Sequence, residues 1–138
     1  MKRLTILTSL AFALSLGTAF LGTNVSNAQD QPVKRTILQK TDFPGVEGKE
    51  LVTYQSEIAP GAESGKHFHP GPEYLYMAEG SMVMEPEGHA PFTLMKGQTT
   101  TNPEKHVHNV KNTSTNGPTK VIVFLVAEKG QPLATPVK

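Results

Sequence analysis

Residues Gly61–Gly80 read GAESGKHFHPGPEYLYMAEG, and this stretch carries most of the chemistry that the chain offers. His67 and His69 are one residue apart, and residues i and i+2 of a β-strand point to the same face. Pro70-Gly71-Pro72 follows as a turn that no helix tolerates. Glu73 comes directly after the turn. Two imidazoles and a carboxylate across a tight corner predict most of a divalent metal site.

A second histidine pair lies some forty residues later, in a stretch that reads GQTTTNPEKHVHNVKN from Gly97 to Asn112. His106 and His108 are again one residue apart, on a valine-containing run typical of a strand. Because both have the same strand parity, either could complete a set of three histidines and one glutamate.

Both stretches resemble the two sequence motifs of the cupin family. The first motif is Gly-x5-His-x-His-x3-Glu-x6-Gly, and it is matched at every spacing by Gly61, His67, His69, Glu73 and Gly80. The second is Gly-x5-Pro-x-Gly-x2-His-x3-Asn, and it is matched by Gly97, Pro103, His108 and Asn112. Lys105 stands where the family usually has glycine.

The resemblance implies an all-β, single-domain fold, the cupin-type double-stranded β-helix or jelly-roll barrel. It also implies which side chains bind one divalent metal ion, namely His67, His69, Glu73 and His108. Glu73 would double as a catalytic base. Motif spacing favours His108 as the third histidine, and His106 is expected nearer the mouth of the barrel.

The rest of the chain reads as short strands separated by Gly and Pro turns, with no helical period. We predict an N-terminal arm at 29–48, with a short edge strand at 33–38, then a cupin barrel at 49–128 and a C-terminal tail at 129–138. The run KVIVFLVA at 120–127 is apolar on both faces, which predicts a central strand buried on both sides.

Residues 1–28 have the pattern of a cleaved secretory signal peptide. Lys2-Arg3 is a short basic start, an uncharged apolar run follows, and Val25-Ser26-Asn27-Ala28 offers small residues for cleavage after Ala28. An uncleaved membrane anchor is the alternative. With cleavage we expect an exported protein, periplasmic or secreted, that has no membrane attachment.

Charge and composition narrow the class of partner. The thirteen basic residues, less Lys2 and Arg3, stand against twelve acidic ones, so the mature chain has a net charge of −1. This balance argues against a nucleic acid partner. The absence of cysteine excludes disulfides. A small-molecule ligand or substrate is expected, and the family resemblance implies a homodimer.

Strand parity around Glu73 predicts the surroundings of the site. Leu75 and Met77 share its face and should line a cavity, whereas Tyr74 and Tyr76 point the other way and should pack between sheets. Asn112 is expected to stabilise a turn or to hydrogen-bond a metal ligand.

Function is less determined than fold. Imidazole and carboxylate ligands suit Fe, Mn, Ni or Zn. Copper is less favoured, because the four methionines at 77, 82, 84 and 95 are better explained as core filling. We expect a metal-dependent enzyme, dioxygenase-like or using other Lewis-acid chemistry, that acts on a small oxygen-bearing organic molecule. The alternative is a non-catalytic cupin that binds or sequesters a metal or small ligand.

Two further expectations concern anions and protons. Arg35 is the single arginine outside the signal segment, which argues against a dedicated carboxylate or phosphate clamp. The three histidines must be neutral to bind a cation, so metal affinity should fall below about pH 6.

Overall fold

The computed structural model describes residues 31–138, and the predicted signal peptide at 1–28 lies outside that range. Ten strands make up the secondary structure of this part, with the bounds β1 Val33–Asp42, β2 Lys49–Ile58, β3 His67–Phe68, β4 Glu73–Glu79, β5 Ser81–Pro86, β6 Phe92–Met95, β7 Thr99–Asn102, β8 His108–Lys111, β9 Thr119–Glu128 and β10 Thr135–Pro136. Over the described range, no helix has the length and apolar character needed to cross a bilayer.

The strands form two five-stranded antiparallel sheets that face each other. One sheet has the order β1-β2-β9-β4-β7 and the other the order β10-β3-β8-β5-β6. Strands that are distant in sequence are neighbours in both sheets, as in a jelly roll. The predicted all-β double-stranded β-helix is therefore confirmed.

The hydrophobic core lies between the inner faces of the two sheets. Strand β2 alternates along its length, with every second residue buried from Glu50 to Ile58. Strand β9 is central, as predicted. The prediction that it is buried on both sides was wrong, because buried side chains alternate with more exposed ones and Phe124 is 40% exposed. In a two-layer fold nothing covers the outer face of the central strand.

The expected burial of two tyrosines was also wrong. Tyr74 and Tyr76 do point away from Glu73, but they are 57% and 43% exposed. Strand parity was right to place the two tyrosines on the face opposite Glu73, and that face is the exposed outer face of the sheet. The prediction for the methionines holds for three of them, which are buried, whereas Met95 is 57% exposed.

The two ends of the described chain contribute strands to the sheets. Strand β1 is longer than the expected edge strand and pairs with β2 along its whole length, with one register shift between Ile37 and Gln39. The segment that we described as a tail contains β10, which pairs with β3 through Thr135 and Phe68. The C-terminal segment therefore reaches the strand that carries His67.

The turn before His108 contains the one positive-φ residue other than glycine in the described range. Lys105 has φ +56°, the left-handed conformation that the glycine of the family motif would adopt without strain. Its N–H donates to the His69 carbonyl at 2.9 Å, which ties the second motif to the first.

Replacing Lys105 with glycine is expected to stabilise the protein by up to about 1 kcal/mol, because relief of roughly 1–2 kcal/mol of strain is partly offset by roughly 0.5–1 kcal/mol from the freedom of glycine in the unfolded chain. Lys96→Gly is the matched control, since Lys96 is exposed and has no positive φ. It should destabilise by roughly 0.5–1 kcal/mol through the greater freedom of the unfolded chain. Urea denaturation measures both, and a K105G variant less stable than the parent would contradict the argument.

Candidate metal centre

Three buried histidines converge between the two sheets. His67, His69 and His108 each offer a ring nitrogen, and these three atoms all lie within 4.8 Å of one another. Strand pairing brings them together, since His67 of β3 lies directly opposite His108 of β8. Each of the three side chains is at most 5% exposed.

A backbone carbonyl oxygen lies beside one ring nitrogen of each histidine. The Nδ1 atom lies 2.9 Å from the Gly65 carbonyl oxygen for His67, 2.6 Å from that of Leu133 for His69, and 3.1 Å from that of His106 for His108. A carbonyl can only accept, so the Nδ1 of His67 and His69 carries the proton, and their Nε2 keeps the lone pair that binds a metal. At His108 the contacts oppose one another, because the Asn102 amide, which can only donate, also lies 3.1 Å from Nδ1 and 3.4 Å from Nε2.

Glu73 lies beside the three rings and is held by two donors. The Tyr54 hydroxyl donates to its Oε1 at 2.6 Å, and the Asn102 amide donates to its Oε2 at 3.3 Å. The His69 Nδ1 is 3.0 Å from Oε1, although its proton also faces the closer Leu133 oxygen. Because the ring is neutral, this contact is a shared hydrogen bond and not an ion pair.

Burial shifts the protonation of every ionisable group at the centre. It lowers the pKa of His69 to about 3 and that of His108 to about 4, and it also lowers the pKa of His67. Burial raises the pKa of Glu73 to about 7, against the opposing hydrogen bonds from Tyr54 and Asn102. All three imidazoles are therefore neutral at neutral pH, whereas Glu73 is close to half protonated.

The histidines and Glu73 line a small internal cavity. Its volume is about 30 Å³, and its other lining residues are Arg35, Tyr54, Ser56, Ile58, Leu75, Met82, Val110, Val121 and Val123. One water needs about 10–15 Å³ of such volume, so the space suits an ion and a ligand of few atoms.

Of the remaining predicted site residues, one lines the cavity and three do not. Leu75 lines the cavity, whereas Met77 is fully buried in the core and is not among the lining residues. His106 points elsewhere, with its Nε2 at 3.0 Å from the Glu87 carbonyl oxygen. Asn112 donates to the carbonyls of Ile58 and Gly117, which makes it an anchor of the loop after β8.

Sequence reasoning missed four contributors to the centre: Arg35, Tyr54, Asn102 and the Leu133 carbonyl. Asn102 precedes the proline of the second motif and lies directly opposite Glu73 in the sheet. Tyr54 is on the buried, inner face of β2. Pairing between distant strands brings these groups to the centre, and no local sequence pattern indicates that pairing.

Comparison with known proteins places the chain in a family. Residues 54–125, more than half of the chain, match the cupin domain family, and this protein belongs to that family. No curated protein sequence matches it.

Several solved structures share the fold at low sequence identity. One is the DMSP lyase DddQ from Ruegeria pomeroyi DSS-3, with 19% identity and a TM-score of 0.63 over 84% of this chain and 57% of that one. The polyketide cyclase RemF from Streptomyces resistomycificus has 21% identity and a TM-score of 0.58 over 78% and 72% of the two chains. A cupin-like protein from Thermotoga maritima has 24% identity and a TM-score of 0.58 over 76% and 75%. The chain thus spans little more than half of the length of the lyase.

The donor set fits a metal ion. Three neutral imidazoles whose ring nitrogens converge, and one carboxylate beside them, are ligands for borderline divalent cations. Each ring is oriented by a backbone carbonyl, as ligating histidines usually are.

Acid should destabilise the metal-free protein. In the unfolded chain the histidines take up protons below pH 6.5, whereas in the folded protein His108 stays neutral down to about pH 4 and His69 down to about pH 3. The stability that these neutral rings contribute is therefore lost as the pH falls from 6.5 to these values. Glu73 acts in the opposite sense, because its folded pKa of about 7 exceeds the unfolded value of 4.5. Three histidines outweigh one carboxyl, and we expect a loss of roughly 3 kcal/mol between pH 7 and pH 4.

Urea unfolding in the presence of a chelator at pH 7, 5.5 and 4 measures this effect. His69→Gln should reduce the loss because glutamine does not titrate, and His89→Gln is the matched control in an exposed loop. Equal stability of the parent protein at pH 7 and pH 4 would contradict the burial of neutral imidazoles.

Proposed function

We propose that this cupin binds one divalent metal ion through His67, His69 and His108, with Glu73 as a fourth ligand or as the base beside it. The proposed reaction is Lewis-acid or dioxygenase-like chemistry on a small oxygen-bearing organic molecule. The observation that carries the proposal is the convergence of three buried histidines, each of which offers a ring nitrogen within 4.8 Å of the other two. The metal could be Fe, Mn, Ni or Zn.

A divalent ion held there would supply Lewis acidity, which polarises a bound oxygen atom or acidifies a bound water. The chain itself supplies orientation and exclusion of bulk water. The rings are fixed by backbone acceptors, and the cavity of about 30 Å³ admits few solvent molecules.

Glu73 is suited to move a proton in this cavity. In the metal-free protein burial raises the pKa of this carboxyl to about 7, and a cation bound beside it would lower the pKa and favour the carboxylate, which is the form that accepts a proton. Its Oε1 accepts from Tyr54 and its Oε2 from Asn102, so the carboxyl group is held in one orientation. Burial also raises the pKa of Tyr54 well above its usual value, so the phenol remains a donor.

Turnover by metal-loaded protein tests the proposal. Short carboxylic and hydroxy acids, diketones and catechols would be incubated with protein loaded with Fe(II), Mn(II), Ni(II) or Zn(II), and both product formation and oxygen uptake would be followed. Glu73→Gln should lower the rate at least about a hundredfold if Glu73 transfers the proton. Thr99→Ala, on the exposed outer sheet, is the control. Metal-loaded protein that converts no compound of the panel would exclude the enzymatic part.

The small cavity also favours a second candidate function, which is binding without turnover. A volume of about 30 Å³ is far below the roughly 300–1,000 Å³ of pockets for drug-sized ligands. A protein that sequesters a metal ion needs no larger space. Tight metal binding with no conversion of any tested compound would select this alternative.

We propose in addition that the protein is exported. The basic start, the apolar run and the small residues within 1–28 support this proposal. We expect the mature chain to begin at Gln29 and to acquire its metal outside the cytoplasm. Mass spectrometry of protein recovered from the periplasm or the medium would test this. A homodimer is expected too, and light scattering would measure it.

A further inference from the structure

Arg35 is a charged residue of the cavity that the metal centre leaves without a role. It is the single arginine outside residues 1–28, and it is one of the residues that line the cavity with the three histidines and Glu73. Among the lining residues it is the permanent cation. The scarcity of arginine predicts no anion clamp, but Arg35 lies at the site.

The position of Arg35 follows from the pairing of the first two strands. Arg35 lies opposite Ser56 in the β1–β2 register, and both residues line the cavity. The neighbouring Lys34 is exposed, as the alternation of a strand requires, whereas Arg35 is half-buried. The guanidinium therefore belongs to the inner face of its sheet.

Arg35 shares a small space with the groups of the candidate centre. The cavity has a volume of about 30 Å³, and it is lined by Arg35, Tyr54, Glu73 and the three histidines. A charge in so small a space acts on the other groups that line it, because the interaction between charges decays with distance.

No acidic side chain within residues 31–138 neutralises Arg35, since no carboxylate oxygen lies within 4.0 Å of its guanidinium. Glu73 is engaged by Tyr54 and Asn102. With a divalent cation at the histidines, the cavity would hold three positive charges against the single negative charge of Glu73. A partly buried excess of positive charge favours an anionic ligand.

We propose that Arg35 selects a small carboxylate as the ligand of this cavity, bound between the guanidinium and the histidine centre. The guanidinium fork matches the two oxygens of a carboxylate, and the volume of about 30 Å³ limits the ligand to few heavy atoms. This inference deepens the proposed function and rests on its metal site. It makes Arg35 a residue that determines specificity.

Calorimetric titration of the zinc-loaded protein tests the inference with three probes: acetate, its neutral isostere acetamide, and inorganic phosphate. Acetate should bind about tenfold to a hundredfold more tightly than acetamide, as a charge-assisted hydrogen bond predicts. It should also bind more tightly than phosphate. Equal binding of acetate and acetamide would overturn the inference, and so would tighter binding of phosphate.

Variants assign the effect to the guanidinium. Arg35→Gln should reduce acetate affinity to the level of acetamide, while zinc affinity stays unchanged or rises because a repelling charge is gone. Lys34→Gln removes the same charge from the exposed face of the same strand and should change acetate affinity less than about twofold. Unchanged acetate binding in R35Q would contradict the role of Arg35. Should R35Q fail to fold, Arg35→Lys, which keeps the charge without the fork, should still weaken acetate several-fold.

Two titrations separate this inference from the function on which it rests. Zinc binding alone tests the metal site, and acetate binding to metal-free protein tests Arg35 alone. Protein that fails to bind zinc but still prefers acetate to acetamide would refute the metal-dependent function and retain the carboxylate subsite. Protein that binds zinc without preferring acetate would retain the metal site and refute the subsite.

Discussion

Replacing His108 with alanine is expected to weaken metal binding at least about a hundredfold, whereas His106→Ala should leave it unchanged. His108 shares one buried centre with His67 and His69, and its Nδ1 lies 3.1 Å from the His106 carbonyl oxygen. His106 lies only two residues away, but its Nε2 faces the Glu87 carbonyl. The pair is a matched test, because both variants delete one imidazole from the same segment.

Elemental analysis and competitive titration with a chromophoric chelator measure this effect. The parent protein and H106A should hold about one divalent ion per chain, and H108A and His67→Ala should hold close to none. Saturating metal should also raise the stability of the parent by about 2.7 kcal/mol at a free concentration one hundred times Kd. Full metal content in H108A would remove the proposed centre.

The pH dependence of metal affinity separates the roles of Glu73 and the histidines. The low pKa values of His69 and His108 keep these rings neutral and able to bind metal below pH 6. Protons should therefore compete with the metal for these rings less than they would for histidines with an ordinary pKa. If Glu73 ligates the metal, affinity should decline below pH 7, where this carboxyl takes up a proton. In Glu73→Gln the profile should be flat between pH 7 and pH 5.

Gly71→Ala is expected to destabilise the protein by about 3 kcal/mol, which lowers its melting temperature by roughly 10 °C. Gly71 lies in the turn between His69 and Glu73. A Cβ at this position would overlap the Val126 carbonyl oxygen and lie 2.9 Å from the carbonyl carbon. Val126 is in β9, and its N–H donates to the Pro72 carbonyl at 3.2 Å, so the turn rests directly on the backbone of the central strand.

Gly117→Ala is the matched control for this prediction. Gly117 also lies in a loop, it has no positive φ, and a Cβ there would meet nothing within 4 Å. Its stability should change by less than about 1 kcal/mol. Thermal and urea unfolding of both variants, with and without metal, would measure the difference. G71A should also bind metal less tightly, since the turn sets His69 relative to Glu73. Equal stability of G71A and the parent would show that the turn can move away from β9.

The fold and the candidate metal ligands could be predicted from local sequence pattern, because strand parity and turn chemistry act over a few residues. Motif spacing indicated His67, His69, Glu73 and His108, of which the structure brings the histidines together and places Glu73 beside them. Local pattern failed at β9 and at Tyr74 and Tyr76, since an apolar or aromatic residue does not reveal whether a second layer covers its face.

The surroundings that tune the centre depended on tertiary structure alone. The Leu133 carbonyl that sets the tautomer of His69 is sixty-four residues away in sequence, and Tyr54 is nineteen residues from the Glu73 that it holds. Arg35 reaches the cavity through the pairing of β1 with β2. Strand pairing between distant segments places these groups, and it follows from burial of the whole inner surface and not from any local spacing. The sequence therefore specified which groups could bind a metal, and the packing of the two sheets set their proton positions, their pKa values and the charge that they face.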